Sequence, residues 1–178
     1  MAQTTINNGD SGAVVRGALN TMFGDLYGKY KILTPTLGTT SVTGTTSETV
    51  MATYSVPTSF GVANAVLRIL PLFSFPNSAN NKVFRVRLGG TSGTQFLAST
   101  QTTALVLQPL VLIRATAVNA QVGFASGTTT GIGNSTGTKV TGTTDFTSSA
   151  QDLVISVALA SAAETAVFEG GLVELLIP

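Results

Sequence analysis

The chain has 178 residues, of which 43% are hydrophobic and only 10% charged, with nine Lys and Arg against eight Asp and Glu for a net charge of +1. It contains neither cysteine nor histidine, which excludes disulfides, thiolate chemistry, a Ser-His-Asp triad and histidine metal ligation. A near-neutral charge gives no general attraction to nucleic acid, and no run approaches the roughly 18 apolar residues that membrane insertion of a helix requires.

The low charge is itself informative, because an ordinary soluble domain carries about 25% charged residues. With a mean hydropathy of +0.39, the surface must be hydrated by Ser and Thr or covered by other subunits. Residues 1–5 are polar and lack the apolar region of a secretion signal, so synthesis in a cytoplasm is expected.

The first predicted element is a helix within residues 11–31. Val15, Leu19, Met22 and Leu26 follow a 4-3-4 spacing that sets them on one stripe, which Leu33 continues beyond Lys29. Asp10 or Ser11 can cap its start, and Pro35 is expected to end it. Gly17, Gly24 and Gly28 weaken it by about 1 kcal/mol each relative to Ala. A helix of about 20 residues is marginal alone in water, so the stripe must dock on the chain's own body or on copies of itself.

Residues 34–47 carry no charge and few large side chains, which reads as a linker and first-strand region. The predicted division is a helical tether over 1–33, this region over 34–47, and a β domain over 48–178. Strands are expected over 48–56 and 66–75, the latter with Leu67, Ile69 and Phe73 on one face and Arg68 on the other. The turn-rich run 76–81 is expected to fold 66–75 and 82–88 into a hairpin. Over 82–88, Phe84, Val86 and Leu88 point one way and Val83, Arg85 and Arg87 the other, with Gly89 and Gly90 ending the strand.

Residues 104–114 are apolar on both faces, and Leu105, Leu107, Val111 and Ile113 are taken as a subunit interface. A weaker strand is expected over 118–125. Residues 126–149 form a Thr/Gly/Ser-rich segment, read as an exposed loop with one edge strand and with Thr130, Ile132, Asn134 and Lys139 as contact residues. Strands over 153–159 and 166–177 close the domain. Some eight strands after one helix, without βαβ alternation, predict a mainly β protein: an antiparallel, jelly-roll-like β-sandwich preceded by one short N-terminal helix.

Chemistry is sparse. A glycosidase would need two carboxylates about 5 to 10 Å apart, but the odd spacing of Glu169 and Glu174 sends them to opposite faces of one strand. Asp145 and Asp152 would need the loop to fold back. No cofactor or metal site is indicated. Arg85 and Arg87 either keep a strand edge soluble or, with Arg68, meet Glu169 or Glu174 of a neighbouring subunit. Tyr27, Tyr30 and Tyr54 serve packing or a sugar platform.

The segment Ile6-Asn-Asn-Gly-Asp-Ser-Gly-Ala-Val-Val-Arg-Gly-Ala-Leu-Asn-Thr-Met-Phe-Gly-Asp-Leu-Tyr27 resembles the N-terminal helical element of tailed-bacteriophage fibre and appendage proteins, through Gly9-Asp10, Arg16 and Asn20-Thr21-Met22-Phe23. Thr43-Gly-Thr-Thr-Ser-Glu-Thr49, Val66-Leu-Arg-Ile69, Arg85-Val-Arg-Leu-Gly-Gly-Thr91 and Phe168-Glu-Gly-Gly-Leu-Val-Glu-Leu-Leu176 resemble a β domain of phage virion proteins. The resemblance implies a non-enzymatic virion component, a homotrimer with a jelly-roll head. Residues 1–33 would then trimerise, with Val15, Leu19, Met22 and Leu26 at the three-fold axis. Its partners would be itself, capsid or tail proteins, and a host-surface glycan or protein, without nucleic acid or membrane insertion. A receptor-binding tail knob, a carbohydrate-binding module and a small glycosidase are the alternatives.

Overall fold

The expected helix forms as α1 (Gly12–Gly28) in the computed structural model of the chain, which is described for residues 6–125 and 139–178. Ser11 is its cap, the hydroxyl accepting from the Val14 N–H. The helix stops at Gly28, well before Pro35, because the chain beyond Lys29 is drawn into a sheet.

Thirteen strands follow among the described residues: β1 (Tyr30–Ile32), β2 (Pro35–Leu37), β3 (Ser41–Thr43), β4 (Thr49–Val56), β5 (Val66–Ser74), β6 (Lys82–Leu88), β7 (Thr94–Gln101), β8 (Val106–Leu107), β9 (Val111–Ala117), β10 (Ala120–Ala125), β11 (Val140–Gly142), β12 (Gln151–Leu159) and β13 (Thr165–Leu176). The larger sheet runs β1-β13-β5-β9-β10-β11, with β3 also on β13 and β8 on β5. The smaller runs β2-β4-β12-β6-β7. All pairings are antiparallel, and the two sheets make the expected β-sandwich behind one N-terminal helix.

Alternation sets the core. Leu67, Ile69 and Phe73 of β5, Phe84, Val86 and Leu88 of β6, and Leu153, Ile155, Val157 and Leu159 of β12 all point inward, as their spacing predicted. Phe73 and Phe84 meet across the sheets at 4.5 Å between ring centres. The Tyr54 hydroxyl also crosses from β4 to donate to the Gly171 carbonyl at 3.3 Å. On β7, Phe96 needs the bare backbone of Gly123 opposite it, where a Cβ would stand 2.2 Å from the ring.

Several boundaries differ from the sequence reading. Strand pairing begins at Tyr30, inside the segment read as tether, and 34–47 supplies β2 and β3 to the two sheets. Residues 76–81 do not close a hairpin: β5 lies in the larger sheet and β6 in the smaller, so this turn crosses the sandwich. β7 was not anticipated. The apolar run 104–114 is two strands, both paired to β5 and separated around Pro109, which lacks the N–H a ladder needs. Residues 139–149 are tied into the body, where β11 pairs with β10 and Phe146 is buried edge-on against Phe60 at 5.2 Å.

Candidate interaction surfaces

The helix does not lay its stripe on the sandwich. Leu19 is 39% and Met22 45% exposed, while Val15 is half-buried. Phe23 and Tyr27, one turn apart, stack on each other at 6.0 Å and are also exposed. The helix carries Leu26, whose side chain lies outside the described residues. Among the described residues of its stripe, this 17-residue helix lacks the tertiary packing that normally holds such a helix.

A second uncovered surface lies on the outer face of the larger sheet. Registers and burial place Leu70 and Leu72 of β5, Leu172 and Leu176 of β13, Leu112 of β9, Val122 and Phe124 of β10 and Ile32 of β1 on this side. Leu72, Leu172, Leu176, Phe124 and Ile32 are exposed. At its centre one polar cluster is satisfied from within: Glu174 accepts from Arg68 and from the Tyr30 hydroxyl. Those two bonds, from Arg68 first and Tyr30 second, hold the Glu174 carboxyl below the usual range.

The set read from 104–114 as an interface does not lie on this face. Leu107, Val111 and Ile113 are core residues pointing between the sheets, and of that set Leu105 alone is exposed. The alternation of β9 puts Leu112 outward instead. The outward apolar residues of β5 carried a signal of their own, since Leu70 and Leu72 sit where a solvated strand would be polar.

Arg85 and Arg87 do face outward on the smaller sheet, but their acidic partner is Glu48 of the same chain. Arg87 Nε lies 3.3 Å from Glu48 Oε1. Arg85 Nη1 lies 3.3 Å from Oε2, close enough for ion pairing but out of hydrogen-bond alignment. The Ser156 hydroxyl donates to Oε1 at 2.6 Å. Burial pushes the Glu48 carboxyl up, but Ser156 and the two guanidiniums outweigh it and leave it lowered. Arg68, too, meets its acid within the chain, so the pairing with a neighbour's Glu169 or Glu174 is replaced by internal pairs.

Glu169 and Glu174 share the outer face after all. A β-bulge at Phe168/Gly170 inserts one extra residue, and Gly170 takes φ +144 to accommodate it. The parity between the two acids is thereby changed. They still do not pair with each other, because the Ser74 hydroxyl donates to Glu169 while Arg68 and Tyr30 hold Glu174. Asp145 is occupied by its own turn, accepting from Thr147 N at 2.8 Å and Oγ1 at 2.5 Å. Among the described residues, no group of three or more Asp or Glu is gathered to hold a metal. Glu48, Asp145, Glu169 and Glu174 thus each have a structural partner, an arrangement that anchors strands and turns.

Lys82, at the inward start of β6, is fully buried. Its Nζ lies 3.1 Å from Glu164 Oε2, donates to Ser78 Oγ at 2.8 Å and stands 5.7 Å over the Phe75 ring. Hydrogen bonds from Asn80, Ser78 and Lys82, in that order, pull the Glu164 carboxyl down to about 2. The sequence reading passed over this cluster, because a lysine opening a strand looks like an edge residue.

Of the proposed contact loop, Thr130, Ile132 and Asn134 lie outside the described residues. Lys139 is exposed and, with Arg114, Thr116, Val122, Phe124 and Thr141, borders an open groove of about 520 Å³. Tyr54 is a core residue and Tyr30 belongs to the Glu174 cluster, so the three tyrosines are not one platform. No helix among the described residues is long and apolar enough to cross a membrane.

No protein-family model matches the chain, and no curated protein matches its sequence. Among solved structures, a protein of unknown function from Shewanella oneidensis aligns over 83% of this chain and 74% of its own, with 11% identity and a TM-score of 0.32. A likeness that weak carries no argument.

Proposed function

We propose that this chain is a non-enzymatic structural subunit of a bacteriophage virion, a homotrimeric appendage or decoration protein that joins its copies through α1 and presents the β-sandwich as a head. The observation that carries this reading is the uncovered stripe of α1, where Leu19 and Met22 remain 39% and 45% exposed. A short amphipathic helix in that condition is stabilised when copies bury its stripe against one another, and a 4-3-4 spacing suits a coiled-coil seam. The charge content of 10% supports the same reading, since subunit contact takes the place of surface charge. The resemblance of residues 6–27 to phage appendage helices supplies the virion context, with capsid or tail proteins as partners.

Light scattering tests the assembly. The expected mass is three times the 18.2 kDa of one chain, and Leu19→Asp, which puts a charge into the seam, is expected to return the particle to one chain. A monomeric wild-type chain overturns the reading and brings the carbohydrate-binding module forward. Mass spectrometry of purified particles from a lysate of the encoding strain tests the virion context, and absence of the chain from them overturns it.

A further inference from the structure

The larger sheet has an outer face that neither the other sheet nor α1 covers, and soluble monomers rarely leave a contiguous apolar surface of that kind on a sheet. We infer that this face is the head half of the same self-association surface, buried in the assembled particle against other copies of this chain. The inference rests on the proposed assembly and adds to it the surface that α1 alone does not supply.

Three observations favour a second copy as the occupant. The first is continuity. β1 follows α1 after one residue, and its Tyr30 and Ile32 lie on the outer face beside Leu176 and Glu174. The helix therefore feeds directly into this side of the sheet, and a bundle of helices would bring the faces beneath it together.

The second is electrostatic. The polar cluster at the centre, Arg68 with Glu174 and Tyr30, is internally paired. Its net charge is balanced, so it asks for no oppositely charged partner and resists burial less than a lone ion would. The other charges on this side between β1 and β10, Glu169 and Arg114, are opposite in sign and are held by Ser74 and Asn64. A largely apolar face with balanced charge suits a copy of itself better than an acidic or basic ligand.

The third is size. A specific interface buries about 800 Å² on each partner. From β1 to β10 the face spans about 19 Å across four strand spacings, and α1 adds a ridge about 25 Å long. The helix alone offers a narrow seam, whereas helix and sheet together approach an interface of ordinary size.

The absence of cysteine makes the test clean, since any introduced thiol reports one position. Leu172→Cys and, separately, Leu72→Cys probe the outer face of the larger sheet, and Thr100→Cys on the exposed side of β7 is the control. A water-soluble maleimide is reacted with each full-length variant at a concentration where light scattering shows its mass. The expected result is an oligomer in which the thiols at 172 and 72 react about tenfold or more slowly than the thiol at 100, as protected sites do. Adding Leu19→Asp is expected to remove most of that protection. Fast labelling at 172 and 72 within an intact oligomer overturns this inference while leaving assembly through α1 standing. A chain that is monomeric throughout overturns the assembly, and the inference with it.

Discussion

Lys82 and Glu164 show how far one buried pair can matter in a chain with so few charges. The ammonium is sealed beneath the turn 76–81, and Glu164 reaches it from the segment between β12 and β13. Two distant parts of the chain are thus held at one end of the sandwich. The folded carboxyl is drawn down to about 2 from an ordinary 4.5. A depressed acid contributes stability that is complete above its unfolded value and is lost as pH falls through the folded one. The expected loss therefore runs between pH 4.5 and about 2. Urea midpoints taken at about pH 5 and about pH 3 should show the wild-type chain losing stability on acidification. Glu164→Gln should be less stable at the higher pH and show a shallower decline. The lowered carboxyls of Glu48 and Glu174 add to the same acid sensitivity and remain in that variant. An equal decline in both proteins would remove Glu164 as a contributor.

At the scale of the element, α1 combines a well-placed stripe with poor helix-forming residues. Gly17 and Gly24 point away from Val15, Leu19, Met22 and Leu26 on the helical wheel, and nothing lies within 4 Å of the Cβ that each would gain. Gly17→Ala and Gly24→Ala should each stabilise the helix by about 1 kcal/mol, read as a stronger helical circular-dichroism signal with unchanged particle mass. A fall in mass would place the back of the helix in a contact. The stripe itself was legible because 3.6-residue periodicity survives the glycines, whereas the helix end was not. Pro35 was the visible stop signal, but the pairing of Tyr30 with Leu176 acts earlier and depends on a strand almost a whole chain away. The same limit explains β13, where the run Phe168-Glu-Gly-Gly reads as simple alternation until the bulge shifts Glu169. Alternation alone identified the inward set of β5, β6 and β12. It failed over 104–114, where a break at Pro109 changes which side chains face the core.

For the whole molecule, strand order matters more than any single contact. β12 lies between β4 and β6 in the smaller sheet, and β13 lies between β1 and β5 in the larger. The last two strands of the chain are therefore interior strands of both sheets. Pairings of such long sequence separation fold slowly, because loop closure must precede the contacts that reward it. Neither sheet is complete until the C-terminal segment arrives, which also explains why sequence reading could recognise a sandwich but not its neighbours: local patterns name strands, and only the assembled ladder fixes their order. The consequence is asymmetric tolerance to truncation. Removing residues 165–178 strips β13 from β1, β3 and β5 at once, opens the core at Ala166, Phe168, Val173 and Leu175, and should yield an aggregating chain without a cooperative thermal transition. Removing residues 1–28 takes away α1 and leaves every described strand pairing in place. That truncated chain should keep the β-rich circular-dichroism spectrum and a cooperative melt. Loss of the melt on removing the helix would show that α1 holds the sandwich together.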